Sequence, residues 1–172
     1  MSEKKNFKYF KEETVKRHAT EFGWELITTK NIKNKFMKMI EQMDMSYSYK
    51  PVLIKAMFDH VDEKGKVRVS DIIEYFMDFY EDRKAKGLPV EKGNSIYCKD
   101  DYTRKQVERN VFSNPFKRFE DMKMMSRSKN LEFVEFNRYV FKRLTDGEVR
   151  WIVEHCDRKL EEYYGREVFK KL

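Results

Sequence analysis

The chain has 172 residues, 40% of them hydrophobic and 15% aromatic, with 37 basic against 30 acidic side chains and a formal net charge of +7. That apolar content argues against a disordered chain, whose few hydrophobic groups cannot offset ordering entropy. No apolar run is long enough to cross a bilayer, and the start MSEKKNFKYF lacks the apolar stretch of a secretory leader.

The periodicity predicts a first helix over residues 4–22, with Phe7, Phe10, Val15 and Phe22 as apolar points and Gly23 as its stop. A second helix is expected over 30–44, capped by Thr29, with Ile32, Phe36, Met39, Ile40 and Met43 at helical spacing. This pair reads as an N-terminal helical extension over 1–46. A second unit, 47–172, opens with a largely apolar helix at Pro51, a residue suited to a first helical turn. After the turn Asp62–Gly65, Lys66–Val69 alternates like a short strand. Ser70 then caps an amphipathic helix over 71–86, which Gly87 ends.

Residues 87–102 (GLPVEKGNSIYCKDDY) show no clear period. A loop of that length is expected to serve function or contact a partner, with Tyr97 and Tyr102 as candidate anchors. Thr103 and Gln106 form a capping-box pattern that opens a helix over 104–112. Asn114 and Pro115 restart a helical turn. Met124-Met125 and Leu131–Phe136 bracket a hairpin, and Thr145 and Glu148 form a second capping box before a helix running to about Tyr164.

The charge is uneven. Eight cations lie between residues 104 and 129, opposed there by Glu108, Glu120 and Asp121 alone. A basic helix followed by a basic hairpin is how a winged helix meets a phosphate backbone. The candidate binding residues are Arg104, Lys105, Arg109, Asn110, Asn114, Lys117 and Arg118 on the helical part, with Arg127 and Lys129 at the expected wing tip. Asn and Arg can read base edges, while Lys mainly tracks phosphate. A second group, Lys30, Lys33, Lys35 and Lys38, reads as a solubilising helix face.

The element order implies a mainly α (α+β) fold: a winged helix-turn-helix-like domain with a small β-hairpin and an insertion at 87–102. The wording of SYKPVLIKAMFDHVDEKGKVRVSDIIEYF, FYEDRKAKGLPVEK, NPFKRFEDM and LEFVEFN, within about residues 46–164, resembles a winged-helix-like domain. That domain recurs near the C-termini of bacterial and phage DEAD/DEAH-box helicases and restriction-type nucleases. The resemblance implies an accessory module of DNA-processing or defence proteins. The helicase P-loop and a nuclease cluster are absent from the sequence. A stand-alone copy would then be an adaptor, or a phage-borne inhibitor of such machinery, of the anti-CRISPR type.

Catalytic patterns do not emerge. An EF-hand register through Gly65 places Lys64 at a ligand position, which repels a cation. His155, Cys156 and Asp157 are neighbours on a helix and point about 100° apart, so they form no relay. Cys98 and Cys156 fit no metal spacing and read as free thiols of a reducing cytoplasm. The expectation is therefore a cytoplasmic, non-enzymatic binding module with no cofactor, no metal, no membrane and no small-molecule substrate. Its partner would be DNA or a nucleic-acid-handling protein such as a nuclease, helicase or CRISPR effector, as a pI near 9.2 also favours.

Overall fold

The computed structural model describes residues 26–170, so the helix expected over 4–22 lies outside the described residues. The chain is mainly helical with one small antiparallel sheet. Helix α1 (Ile32–Glu41) buries Ile32, Phe36 and Ile40 along the stripe that its spacing predicts. Its start differs from expectation. Thr28 and Asn31 close a turn before the helix, with Asn31 Oδ1 accepting from Thr28 N at 2.7 Å and Thr28 Oγ1 accepting from Asn31 N at 3.3 Å. Thr29 caps nothing.

Helix α2 (Tyr49–His60) is buried along most of its length and packs against both α3 (Val69–Ala85) and α7 (Asp146–Tyr164). Between α2 and α3 lies β1 (Lys66–Arg68). The turn before it is held by Asp62, whose Oδ1 accepts from Lys64 N at 2.8 Å and Lys66 N at 2.9 Å. These backbone bonds hold the Asp62 carboxyl below its ordinary pKa. Gly65 takes φ +84°, and a Cβ there would sit 3.0 Å from the Phe141 ring, so the turn requires glycine twice over.

Helix α3 begins one residue before Ser70, without a side-chain cap. It ends as expected before Gly87, at φ +65°. Helix α4 (Arg104–Ser113) and α7 both carry their capping boxes in full. A 3-10 turn (Ile96–Cys98), helix α5 (Phe116–Asp121), strands β2 (Met125–Arg127) and β3 (Phe133–Phe136), α6 (Arg138–Phe141) and a final turn α8 (Glu167–Lys170) complete the elements of the described residues.

The sheet order is β1-β3-β2, all antiparallel, with Val67 opposite Val134 and Val134 opposite Arg127. Val67, Val134, Phe136 and Met125 are buried beneath the helices. Phe36 of α1 meets Phe119 of α5 at 6.4 Å and Phe136 of β3 at 6.2 Å, and Phe136 stacks on Phe58 of α2 at 4.8 Å. Lys33 of α1 also pairs with Glu148 of α7. Helix α1 thus shares its core with the elements that follow it. Removing the fully buried Phe36 ring (Phe36→Ala) should cost about 3–5 kcal/mol. Denaturant unfolding should stay a single transition, whereas an independent N-terminal unit would unfold in a step of its own.

Residues 87–102 are not a free loop. Val90 and Ile96 pack on the core, Tyr97 is fully buried, and Glu91 and Ser95 are buried polar groups. Tyr97 stacks on Tyr80 with centroids 3.9 Å apart, and Tyr49 Oη bonds Ser95 Oγ at 2.7 Å. The Glu91 carboxylate accepts from Ser48 N at 2.9 Å, Ser48 Oγ at 2.6 Å, Lys92 N at 3.0 Å and the Tyr163 hydroxyl. Tyr80 Oη and Tyr164 Oη meet the same Ser48 hydroxyl at 2.7 and 3.1 Å, and Arg83 lies 3.4 Å over the Tyr164 ring.

Burial pushes the Tyr49 phenol up to about 12 and raises Tyr80, Tyr97, Tyr163 and Tyr164 as well. A folded pKa above the unfolded value of 10.0 gives stability that is complete below pH 10 and lost as pH rises through about 12. Ultraviolet titration of the tyrosines should therefore show these phenols ionising only together with loss of the circular dichroism signal. Smooth ionisation near pH 10 in a protein still folded would contradict it.

Candidate nucleic-acid or partner interface

The residues expected to form one basic surface divide into three groups. The first lies on the outer side of α4. Val107, Val111 and Phe112 turn inward, which leaves Lys105 and Arg109, four residues apart, exposed on one face. Among the described residues neither makes an ion pair or a side-chain hydrogen bond. Arg104 is also exposed, and its guanidinium donates to Ser70 O at 3.1 Å. Lys129 stands exposed at the hairpin tip. The tip itself is built by Ser128, whose Oγ accepts from Glu132 N at 3.1 Å and Phe133 N at 3.0 Å.

The second group is engaged in holding the fold. Asn110 is half-buried, and its Oδ1 accepts from Tyr97 Oη at 3.0 Å. Lys117 pairs with Asp121 at 2.9 Å. Arg127 differs most from the sequence expectation, because it does not reach out from the tip. Its Nε and one terminal nitrogen donate to the two oxygens of Glu120 at 2.8 and 2.9 Å, and its guanidinium lies 4.8 Å from the Phe112 centroid and 5.5 Å from that of Phe116. A bidentate pair on a bed of aromatic rings is a strong use of arginine.

The third group, Asn114 and Arg118, lies elsewhere. Asn114 is exposed at the α4–α5 junction, in an extended conformation that ends α4 rather than capping α5. Arg118 lines a cleft with Lys35 and Lys38 of α1 and with Lys50 of α2. Lys50 carried no signal in the sequence beyond its charge, and only the packing of α5 on α1 brings these four cations together.

The α4 face borders a groove of about 500 Å³ between α3, α4 and the hairpin. Arg68, Arg104, Glu108, Leu131 and Phe133 line it, and Phe133 is 38% exposed. The expected anchors behave otherwise. Tyr97 is buried, and Tyr102 is half-buried with its hydroxyl donating to Glu81 Oε1 at 2.5 Å. Neither is free to grip a partner in the folded state.

Burial pushes the Cys156 thiol up to about 12. Its neighbours look away: His155 stacks on Trp151 at 4.9 Å and Asp157 pairs with Lys55. These groups form no nucleophilic relay. Among the described residues no group of three or more His, Cys, Asp and Glu could hold a metal ion, and no helix is long and apolar enough to cross a membrane. No protein-family model, curated protein or solved structure matches the chain.

The division of arginines can be measured. A double-mutant cycle on Arg127→Ala and Glu120→Ala should give a coupling of about 1 kcal/mol in denaturant midpoints, against about 0.3–0.5 kcal/mol for the exposed Lys117–Asp121 pair. A coupling near zero would return Arg127 to the free cations.

Proposed function

We propose that the protein is a non-catalytic, winged-helix-like module that binds DNA through the outer face of α4 and the hairpin tip. The supporting topology is the order helix, strand, helix, helix, short helix, hairpin (α2, β1, α3, α4, α5, β2–β3) together with the strand order β1-β3-β2. In that arrangement α4 takes the place of a recognition helix and β2–β3 that of the wing. The observation that carries the reading is that Lys105, Arg109 and Lys129 are exposed cations with no carboxylate partner among the described residues. A cation already paired within the fold must break that pair to meet phosphate, whereas an unpaired one releases only solvent and the counterions of the DNA. Arg104 at the edge of the groove adds a fourth contact. Asn110, bonded to Tyr97, and Arg127, held at the surface by Glu120, are already engaged and take no part in base reading.

One observation favours a second reading. Leu131 and the half-exposed Phe133 form an apolar floor between Arg68 and Arg104. An exposed aromatic residue in a groove edged by both arginines and the carboxylates of Glu108 and Glu132 suits a protein partner. On this reading the protein is a phage-encoded inhibitor of a bacterial nuclease, of the anti-CRISPR type, that docks on the effector. A helicase- or nuclease-associated adaptor would use the same groove.

Binding to a labelled mixed-sequence duplex separates the two. With about three to four phosphate contacts, DNA affinity should fall roughly 40- to 150-fold between about 50 and 200 mM salt. Lys105→Ala with Arg109→Ala should weaken binding and lower the salt slope by about 2. Failure of the folded wild type to bind at low salt would sink the DNA reading. Loss of partner capture on Phe133→Ala, with weak dependence on salt, would then support the protein-docking one.

A further inference from the structure

The cleft where α5 crosses α1 has a chemistry of its own. It is about 290 Å³ in volume, and its polar rim comprises Lys35, Lys38, Gln42, Asp44, Lys50 and Arg118 over an apolar floor that includes Phe119. Among the described residues four cations from three elements line it together with one carboxylate, Asp44. It shares no lining residue with the groove beside α4. We propose that this cleft is a second, separate phosphate-binding site, in which Lys38, Lys50 and Arg118 hold the oxygens of a nucleotide phosphate.

The geometry supports an anion rather than a solvated face. Arg118 has no ion pair among the described residues, while the adjacent Lys117 is paired with Asp121. Its planar guanidinium can present two parallel donors to phosphate. Lys50 is half-buried, and its ammonium donates to Asp44 O at 2.6 Å. One bond of three fixes the group at the rim and leaves two donors for a ligand. Burial lowers the Lys50 pKa, the Asp44 charge opposes it, and the charge of Arg118 adds a smaller lowering. Lys38, Lys50 and Arg118 outnumber the single Asp44 carboxylate at the rim, an excess of positive charge that a bound phosphate would offset.

A smaller hollow adjoins the cleft through Asp44 and Lys50. Asn114 and Tyr47 line it, and Tyr47 stacks on Tyr49 with its ring plane 3° from parallel. A phosphate on Lys50 therefore has an amide and an aromatic ring beside it, the two groups that a base or sugar uses. Asn114, which neither caps α5 nor borders the α4 face, gains a role here. The phosphate could come from a nucleic-acid backbone or from a free nucleotide. Both present the same oxygens to the cleft.

This assignment extends the nucleic-acid reading to a second surface, and the two fail separately. Calorimetry at low salt with inorganic pyrophosphate, adenosine triphosphate and a short single-stranded oligothymidine should show binding of all three to the wild type. Lys38→Gln with Arg118→Gln should weaken each at least tenfold, while Lys105→Ala with Arg109→Ala should leave pyrophosphate binding unchanged. An oligothymidine bound much more tightly than the nucleotide identifies the backbone as the source, and the reverse order identifies the free nucleotide.

Acetylation footprinting of the wild type needs no variant and gives a second readout. Saturating pyrophosphate should shield Lys38 and Lys50 but not Lys105. The site is overturned if folded wild type does not bind pyrophosphate, if the double Gln variant binds within twofold of wild type, or if no shielding occurs. Duplex binding lost only with the α4 variant, together with any of these results, would leave the α4 reading intact and remove the cleft.

Discussion

The buried carboxylate of Glu91 is the constraint on which the arrangement of the helices depends. An ionised carboxylate out of water is costly unless its oxygens are supplied with donors. Here Ser48 supplies a backbone N–H and a hydroxyl, Lys92 a backbone N–H, and Tyr163 a phenol. Those groups come from the start of α2, from the 87–102 segment and from the end of α7. One side chain thus fixes three distant parts of the chain relative to one another. Tyr80 and Tyr164 share the Ser48 hydroxyl, which extends the constraint to α3. Because α4 starts directly after this segment, its position is set by the same group.

A consequence is that cations with the same charge have different duties. Lys33, Lys55, Lys117 and Arg127 are paired to carboxylates of the protein itself. Lys105, Arg109, Arg118 and Lys129 have no such partner among the described residues. The positive stretch that stands out in the sequence is therefore smaller at the surface than its charge count implies. What remains is also split between two places. The α4 face is the more exposed, and the α1–α5 cleft is the more enclosed. Enclosure raises the worth of each charge, because a partly desolvated ion is less screened by water and salt.

Local signals carried the elements well. Both capping boxes, the Gly87 stop and the hairpin could be read from residues within four positions of each other, where local hydrogen bonding decides the outcome. Placement of side chains across the fold was less legible. Arg127 stays exposed at the end of β2, as its charge suggests, but its guanidinium is taken up by Glu120 and lies against the Phe112 and Phe116 rings, contacts that no local pattern announces. Asn110 and Tyr97 met only through the tertiary path of 87–102, and no local pattern announces a loop that folds into its own core. Glu91 was a lone acidic residue in a polar stretch, and its burial depends on Ser48 and Tyr163, far away in sequence. The cleft is of the same kind: Lys38, Lys50 and Arg118 have no common period, and only the Phe36–Phe119 contact explains their meeting.

The sheet described above has two outer strands, β1 and β2, each only three residues long. An open strand edge is a template on which another chain can extend a sheet. Here the template is too short to hold a register, and a cation sits at its end in both strands, Arg68 in β1 and Arg127 in β2. A copy approaching edge to edge would gain at most three residues of pairing and, at β2, would have to fit around the Arg127–Glu120 pair. The brevity of the strands therefore protects against extension of the sheet from one copy to the next.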